Sequence, residues 1–104
     1  MPTSSELKAV IIIPARYNSS RLPGKPLLDI YGQSMIKRTY DRCCKAVECS
    51  NVFVATDDNR IFSHCEDHDI NVIMTPKSCK TGTDRVYEAS KIIEADIYIN
   101  VQGD

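Results

Sequence analysis

Four short apolar runs, each closed by a proline or a polar turn and separated by segments of helical periodicity, leave this chain few folds to choose from. They are Val10-Ile11-Ile12-Ile13, Asn51-Val52-Phe53-Val54-Ala55, Asn71-Val72-Ile73-Met74 and Ile97-Tyr98-Ile99-Asn100-Val101. The first is β-branched and apolar throughout, which suits a strand covered on both faces, as in parallel sheets. Pro14 and Thr75-Pro76 end two of the runs. After the first, Leu27-Leu28-Asp29-Ile30-Tyr31-Gly32 reads as a short extended piece closed by a glycine turn, and Ser34 offers an N-cap. Ile36, Tyr40, Cys43 and Val47 then recur at steps of four, three and four, one apolar helical stripe with Lys37, Arg38, Asp41, Arg42 and Lys45 in the other directions. A second helix starts at Asp57 or Asp58 and turns Ile61, Phe62 and Cys65 inward. The third starts at Thr81-Gly82-Thr83-Asp84, a variant capping box, turns Val86, Ala89 and Ile93 inward and runs to near Asp96. β-α-β alternation with right-handed crossovers predicts an α/β fold: a Rossmann-like parallel sheet with flanking helices and every strand's carboxyl end on one edge.

Totals narrow the function. At 104 residues and 42% hydrophobic content the chain is one domain or part of one. A net charge of −1 argues against a general nucleic-acid binder, so any basic site is local. The first residues lack a leader pattern and no apolar run approaches a membrane span, from which a cytoplasmic protein is expected. Five cysteines, Cys43, Cys44, Cys49, Cys65 and Cys79, are then expected as free thiols, with core packing for some of them. His64 and His68 stand one helical turn apart, but Glu66 is misplaced for His-Glu-x-x-His and no third ligand is evident, so they read as surface or boundary histidines.

The local basic site follows the first strand. Arg16, Arg21 and Lys25 lie within ten residues, with no acid between Glu6 and Asp29, in a loop leaving the carboxyl edge where open α/β sheets bind ligands. Phosphate is the natural ligand, and a solvated turn is the ordinary alternative. Neither Gly-x4-Gly-Lys-Ser/Thr nor Gly-x-Gly-x-x-Gly is present. Two more places on that edge have double readings. Gly82 opens a helix whose first amides cap locally or receive an anion. Asp104, just past the last strand, closes an ordinary turn or holds Mg²⁺ through oxygen.

Pro14-Ala15-Arg16-Tyr17, Ser19, Arg21-Leu22-Pro23-Gly24-Lys25-Pro26-Leu27, Ala55-Thr56-Asp57, Gly82-Thr83-Asp84-Arg85 and Asn100-Val101-Gln102-Gly103-Asp104 together closely resemble the motifs of the CMP-Kdo synthetases, which activate 3-deoxy-manno-octulosonate (Kdo) with CTP. The resemblance runs from Val10 onward. It implies the nucleotide-diphospho-sugar transferase type of fold, truncated here to the N-terminal, nucleotide-binding part (residues 1–104) of a larger catalytic domain. It implies CTP and Kdo as substrates, Mg²⁺ as cofactor and a homodimeric full-length parent. By the same resemblance Arg16, Lys25 and Asp104 are catalytic and Asp104 is the metal ligand. Ala15, Arg16, Ser19, Arg21, Lys25, Ala55, Thr56, Asp57, Gly82, Arg85 and Gln102 bind nucleotide. The family's sugar site, second metal carboxylate and dimerisation segment lie beyond Asp104, so the 104-residue chain is expected to be inactive alone. Other readings are a sialic-acid cytidylyltransferase, whose loop carries more glycine after Ala-Arg, a non-catalytic nucleotide-binding fragment, and a redox module resting on thiols alone.

Overall fold

Strand β1 (Ala9–Pro14) forms the middle of a four-stranded sheet because its residues are apolar in both directions. The structure, a computed structural model, describes residues 7–18 and 23–102. Successive side chains of a strand point to opposite faces. Ile11 and Ile13 join Val52, Val54, Ile36, Tyr40, Ile61 and Cys65 on one face, while Val10 and Ile12 join Ala55, Ala89 and Ile93 on the other. Burying each such aliphatic side chain stabilises the fold by roughly 1.5–3 kcal/mol, so β1 fixes both layers.

On one side β1 pairs in parallel with β4 (Val52–Thr56), from Ile11 opposite Val52 to Pro14 opposite Ala55. On the other it pairs in parallel with β6 (Ile97–Asn100), from Ala9 opposite Ile97 to Ile12 opposite Asn100. Strand β5 (Val72–Met74) lies beyond β4, giving the order β5-β4-β1-β6. Helices α1 (Met35–Cys43) and α2 (Asn59–Asp67) cover one face, and α3 (Gly82–Ser90) covers the other. The chain therefore reverses its direction across the sheet between β1 and β6, and such a switch point opens a crevice at the carboxyl edge.

Helices α1, α2 and α3 each start on a side-chain cap. The Ser34 hydroxyl accepts from the Lys37 amide, Asp58 from the Arg60 and Ile61 amides, and Thr81 from the Asp84 amide. The Asp84 carboxylate reaches back to the Lys80 amide, one residue before the cap, which is how the expected box is varied. Helix α3 ends at Ser90, earlier than the expected stop near Asp96, and Ile93 reaches the core from the turn that follows. The expected extended piece at 27–32 is a 3-10 turn (Lys25–Leu27) and a hairpin of β2 (Asp29–Ile30) and β3 (Gln33–Ser34). Tyr31 and Gly32 make its two-residue turn, both at positive φ, 53° and 89°, as a type I′ turn requires.

The five cysteines are not all the free thiols expected. Cys44 and Cys49 form a disulfide, so only Cys43, Cys65 and Cys79 are free. Helix α1 ends at Cys43, the chain turns back at once into a second 3-10 turn (Cys49–Asn51), and the two Cα atoms come within 4.7 Å. Closing so short a loop is worth about 2 kcal/mol on the loop-entropy scale. Reduction is expected to lower the midpoint of thermal unfolding, read by circular dichroism with and without reductant; an unchanged midpoint would show that the bridge adds no stability.

Candidate active site

Four chain segments reach the carboxyl edge. Ala15 is buried there, its amide donating to the Ala55 carbonyl at 2.9 Å and tying the end of β1 to that of β4. Thr56 is buried at the end of β4, and its hydroxyl accepts from the Asp58 amide at 3.2 Å, shaping the turn that presents Asp57. Arg85 reaches this point from α3 with no exposed surface, donating to the Thr75 hydroxyl at 2.6 Å and pairing with the Asp57 carboxylate at 3.3 Å. Its Nε has no hydrogen-bond partner among the described residues. One guanidinium thus ties the ends of β4 and β5 to α3 and orients Asp57 toward a cleft of about 330 Å³.

Arg16, Tyr17, Asn18, Asp57, Asp58, Arg60, Lys77 and Cys79 line that cleft. The turn after β4 and the start of the cationic loop therefore meet. Arg16 donates to the Lys80 carbonyl at 3.1 Å, and the Lys77 ammonium donates to the Asp57 carbonyl at 3.0 Å. Lys25 stands half-buried at the start of its 3-10 turn, after Gly24 at φ 76°. The Gly24 amide donates to the Tyr17 carbonyl at 2.7 Å and closes the base of the loop. Gly82 serves the other flank: a Cβ there would lie 3.0 Å from Gln102 Nε2 and 3.4 Å from a Pro14 carbon, so the residue must be small for α3 to begin against the ends of β1 and β6. Ser19, Arg21 and Asp104 lie outside the described residues. Among the described residues no group of three His, Cys, Asp or Glu side chains gathers as a metal cage, and no helix is long and apolar enough to cross a membrane.

Lys77 and Arg60 belong to the cleft without having been expected there. A cation directly after Pro76, at the end of a strand on the same edge, was the available signal for Lys77. Arg60 carried none, since its place depends on how Asp58 caps α2.

Hydrogen bonding to Arg60 holds the Asp58 carboxyl below its usual range against the opposing effect of burial, with the α2 amides adding to the lowering. Burial pushes the Cys79 thiol up, with Arg85 opposing and Glu88, Asp84 and Asp57 reinforcing. Cys65, buried in the core, is pushed up to about 12. Free thiols so protonated are poor nucleophiles and poor redox sensors.

His64 sits in a separate cleft of about 360 Å³ between the hairpin and the two helices, with Leu27, Asp29, Gly32, Gln33, Ser34, Lys37 and His68. Its Nε2 is 2.7 Å from the Ser34 hydroxyl, and its ring centroid is 4.2 Å from that of His68. Burial first, then His68, lowers its pKa, while Asp67 opposes. The unfolded chain thus binds the proton more readily, and this contribution to stability is complete above about pH 6.5 and lost as pH falls through the folded value. Thermal unfolding is expected to come earlier on acidification from pH 7 to 5, and His64→Gln to flatten that slope. An identical slope in the variant would assign it to other groups.

A parallel four-stranded sheet with helices on both faces, and a cleft where the loop after β1 meets the turn after β4, defines the Rossmann-like α/β class. The cytidylyltransferase family profile matches residues 10–104, and the chain belongs to that family. It is 53% identical over 97 residues to the 3-deoxy-manno-octulosonate cytidylyltransferase of Escherichia coli, covering 93% of this chain and 39% of that protein. It is 46% identical over 101 residues to an 8-amino-3,8-dideoxy-manno-octulosonate cytidylyltransferase of Shewanella sp. (strain W3-18-1), covering 94% and 41%. A solved CMP:2-keto-3-deoxy-manno-octonic acid synthetase complexed with CTP superposes with a TM-score of 0.84 at 52% identity, over 93% of this chain and 40% of that one. The chain thus spans about two fifths of the length of these relatives.

Proposed function

We propose that this chain is the nucleotide-binding part of an enzyme that transfers CMP from CTP to Kdo and releases pyrophosphate in the cytoplasm. The observation that carries the reading is the likeness, over 93% of the chain, to a synthetase structure complexed with CTP. In this reading Ala55, Thr56 and Asp57 border the cytosine, with Gly82 and Gln102 on the opposite flank. Ala15, Arg16, Ser19, Arg21 and Lys25 take the triphosphate.

The anomeric hydroxyl of the sugar acid attacks the α-phosphorus. The bond from that phosphorus to the bridging oxygen breaks, pyrophosphate leaves, and the hydroxyl proton passes to solvent. Such a transfer needs positioned charge more than a covalent nucleophile. Arg16 and Lys25 neutralise the triphosphate and the departing pyrophosphate. Arg85 acts through its ion pair, holding Asp57 at the base. Mg²⁺ belongs to the proposal through Asp104, a hard oxygen donor two residues past Gln102, and when bound supplies charge neutralisation at phosphate oxygens. Assembly as a homodimer and dependence on residues that hold the sugar acid, outside these 104, complete the reading; the chain alone is expected to bind nucleotide without forming CMP-Kdo.

Pyrophosphate release is the test, measured on the enzyme containing this chain with Kdo and each nucleoside triphosphate in turn. CTP is expected to be preferred. Faster turnover with another nucleotide would overturn the assignment of the base pocket.

A further inference from the structure

Arg60, outside the family motifs, is held in an unusually definite place for a surface side chain. Asp58 caps α2 by accepting from the Arg60 amide at 2.8 Å, and the same carboxylate accepts from Arg60 Nε at 3.1 Å and Nη2 at 2.7 Å. This two-point pairing orients the planar guanidinium, whose central carbon lies 3.3 Å from the centroid of the Tyr17 ring. Tyr17 is pinned from a second direction. A Cβ on Gly24 would meet its ring at 3.0 Å, and its carbonyl accepts the Gly24 amide at 2.7 Å. Arg16 precedes Tyr17 and Lys25 follows Gly24.

We infer that Arg60 is a positioning residue, clamping Tyr17 and Gly24 onto the start of α2 so that Arg16 and Lys25 are set for the phosphates of the nucleotide. The inference rests on the phosphate role proposed for those two cations. A clamp of this kind acts on phosphate affinity more than on the base subsite, which β4 and Arg85 build.

Calorimetric titration of the 104-residue chain with CTP and with cytidine separates the two. Wild type is expected to bind CTP more tightly than cytidine. Arg60→Ala is expected to weaken CTP by about three- to five-fold, the size of an exposed cation–π contact, and to weaken cytidine by less. Tyr17→Leu, which keeps the Arg60 charge, is expected to match that loss, and the double variant to lose no more than either alone. An unchanged CTP-to-cytidine ratio in Arg60→Ala overturns the clamp. So does a loss in Arg60→Ala with none in Tyr17→Leu, since Arg60 then meets phosphate directly. A wild type that binds cytidine as tightly as CTP removes the phosphate reading itself, and the clamp with it.

Discussion

Lys25→Ala in the enzyme containing this chain is expected to slow pyrophosphate release by about 30- to 1000-fold, the equivalent of about 2–4 kcal/mol of transition-state stabilisation. Lys25 is half-buried at the first position of a 3-10 turn whose entry is fixed by Gly24, so its backbone is set before substrate arrives. Charge placed in advance stabilises most where negative charge develops, which in the proposed transfer is the leaving pyrophosphate. The variant should therefore lower kcat and kcat/KM together, and Lys25→Arg should recover part of both. A loss confined to KM would instead mark ground-state phosphate binding. An unchanged rate would reduce Lys25 to a loop residue.

Arg85→Met is expected to destabilise the fold by about 2–4 kcal/mol, toward the lower part of what breaking a fully buried ion pair costs, because Asp57 keeps some contact with water. Two effects compete. Burying a guanidinium whose Nε lacks a partner is costly, and methionine removes that cost. Yet the substitution strands the Thr75 hydroxyl, which is buried, and unpairs the Asp57 carboxylate. The second effect wins because Thr75 and Asp57 terminate different strands that no other side chain in this network joins to α3. For a domain of this size each kcal/mol shifts the unfolding midpoint by roughly 4–8 °C, so a fall of about 10–30 °C is expected by differential scanning calorimetry. A shift of only a degree or two would mean that the pair contributes nothing net to stability. Nucleotide affinity measured well below the midpoint should fall as well, because Asp57 loses the group that orients it.

The parallel sheet was legible because its signals are local. Val10, Ile11, Ile12 and Ile13 announce a strand covered on both faces, and Ser34, Asp58 and Thr81 each stand where a helix begins. The hairpin at 29–34 escaped because its strands are two residues long and its turn places tyrosine, not glycine or asparagine, at the first positive φ. The disulfide escaped because spacing along the chain does not reveal that residues 45–48 fold back on the end of α1. At the site, motif resemblance pointed to Arg16, Asp57, Gly82 and Gln102, and their meeting at one edge follows from strand order, which alternation alone does not specify. What Arg85 does locally was not legible: a cation in a nucleotide motif reads as a ligand contact, whereas its burial makes it the support beneath Asp57.

In the proposed function the carboxyl edge at the ends of β1, β4 and β6 holds CTP, with its triphosphate toward Arg16 and Lys25. Backbone amide chemical shifts recorded while the 104-residue chain is titrated with CTP test it most directly. Saturable changes are predicted at Ala15, Arg16, Lys25, Thr56, Asp57, Gly82 and Gln102, with Gln33, Lys37 and His64 unmoved. Changes centred on Gln33, Lys37 and His64, with the carboxyl edge silent, would contradict it.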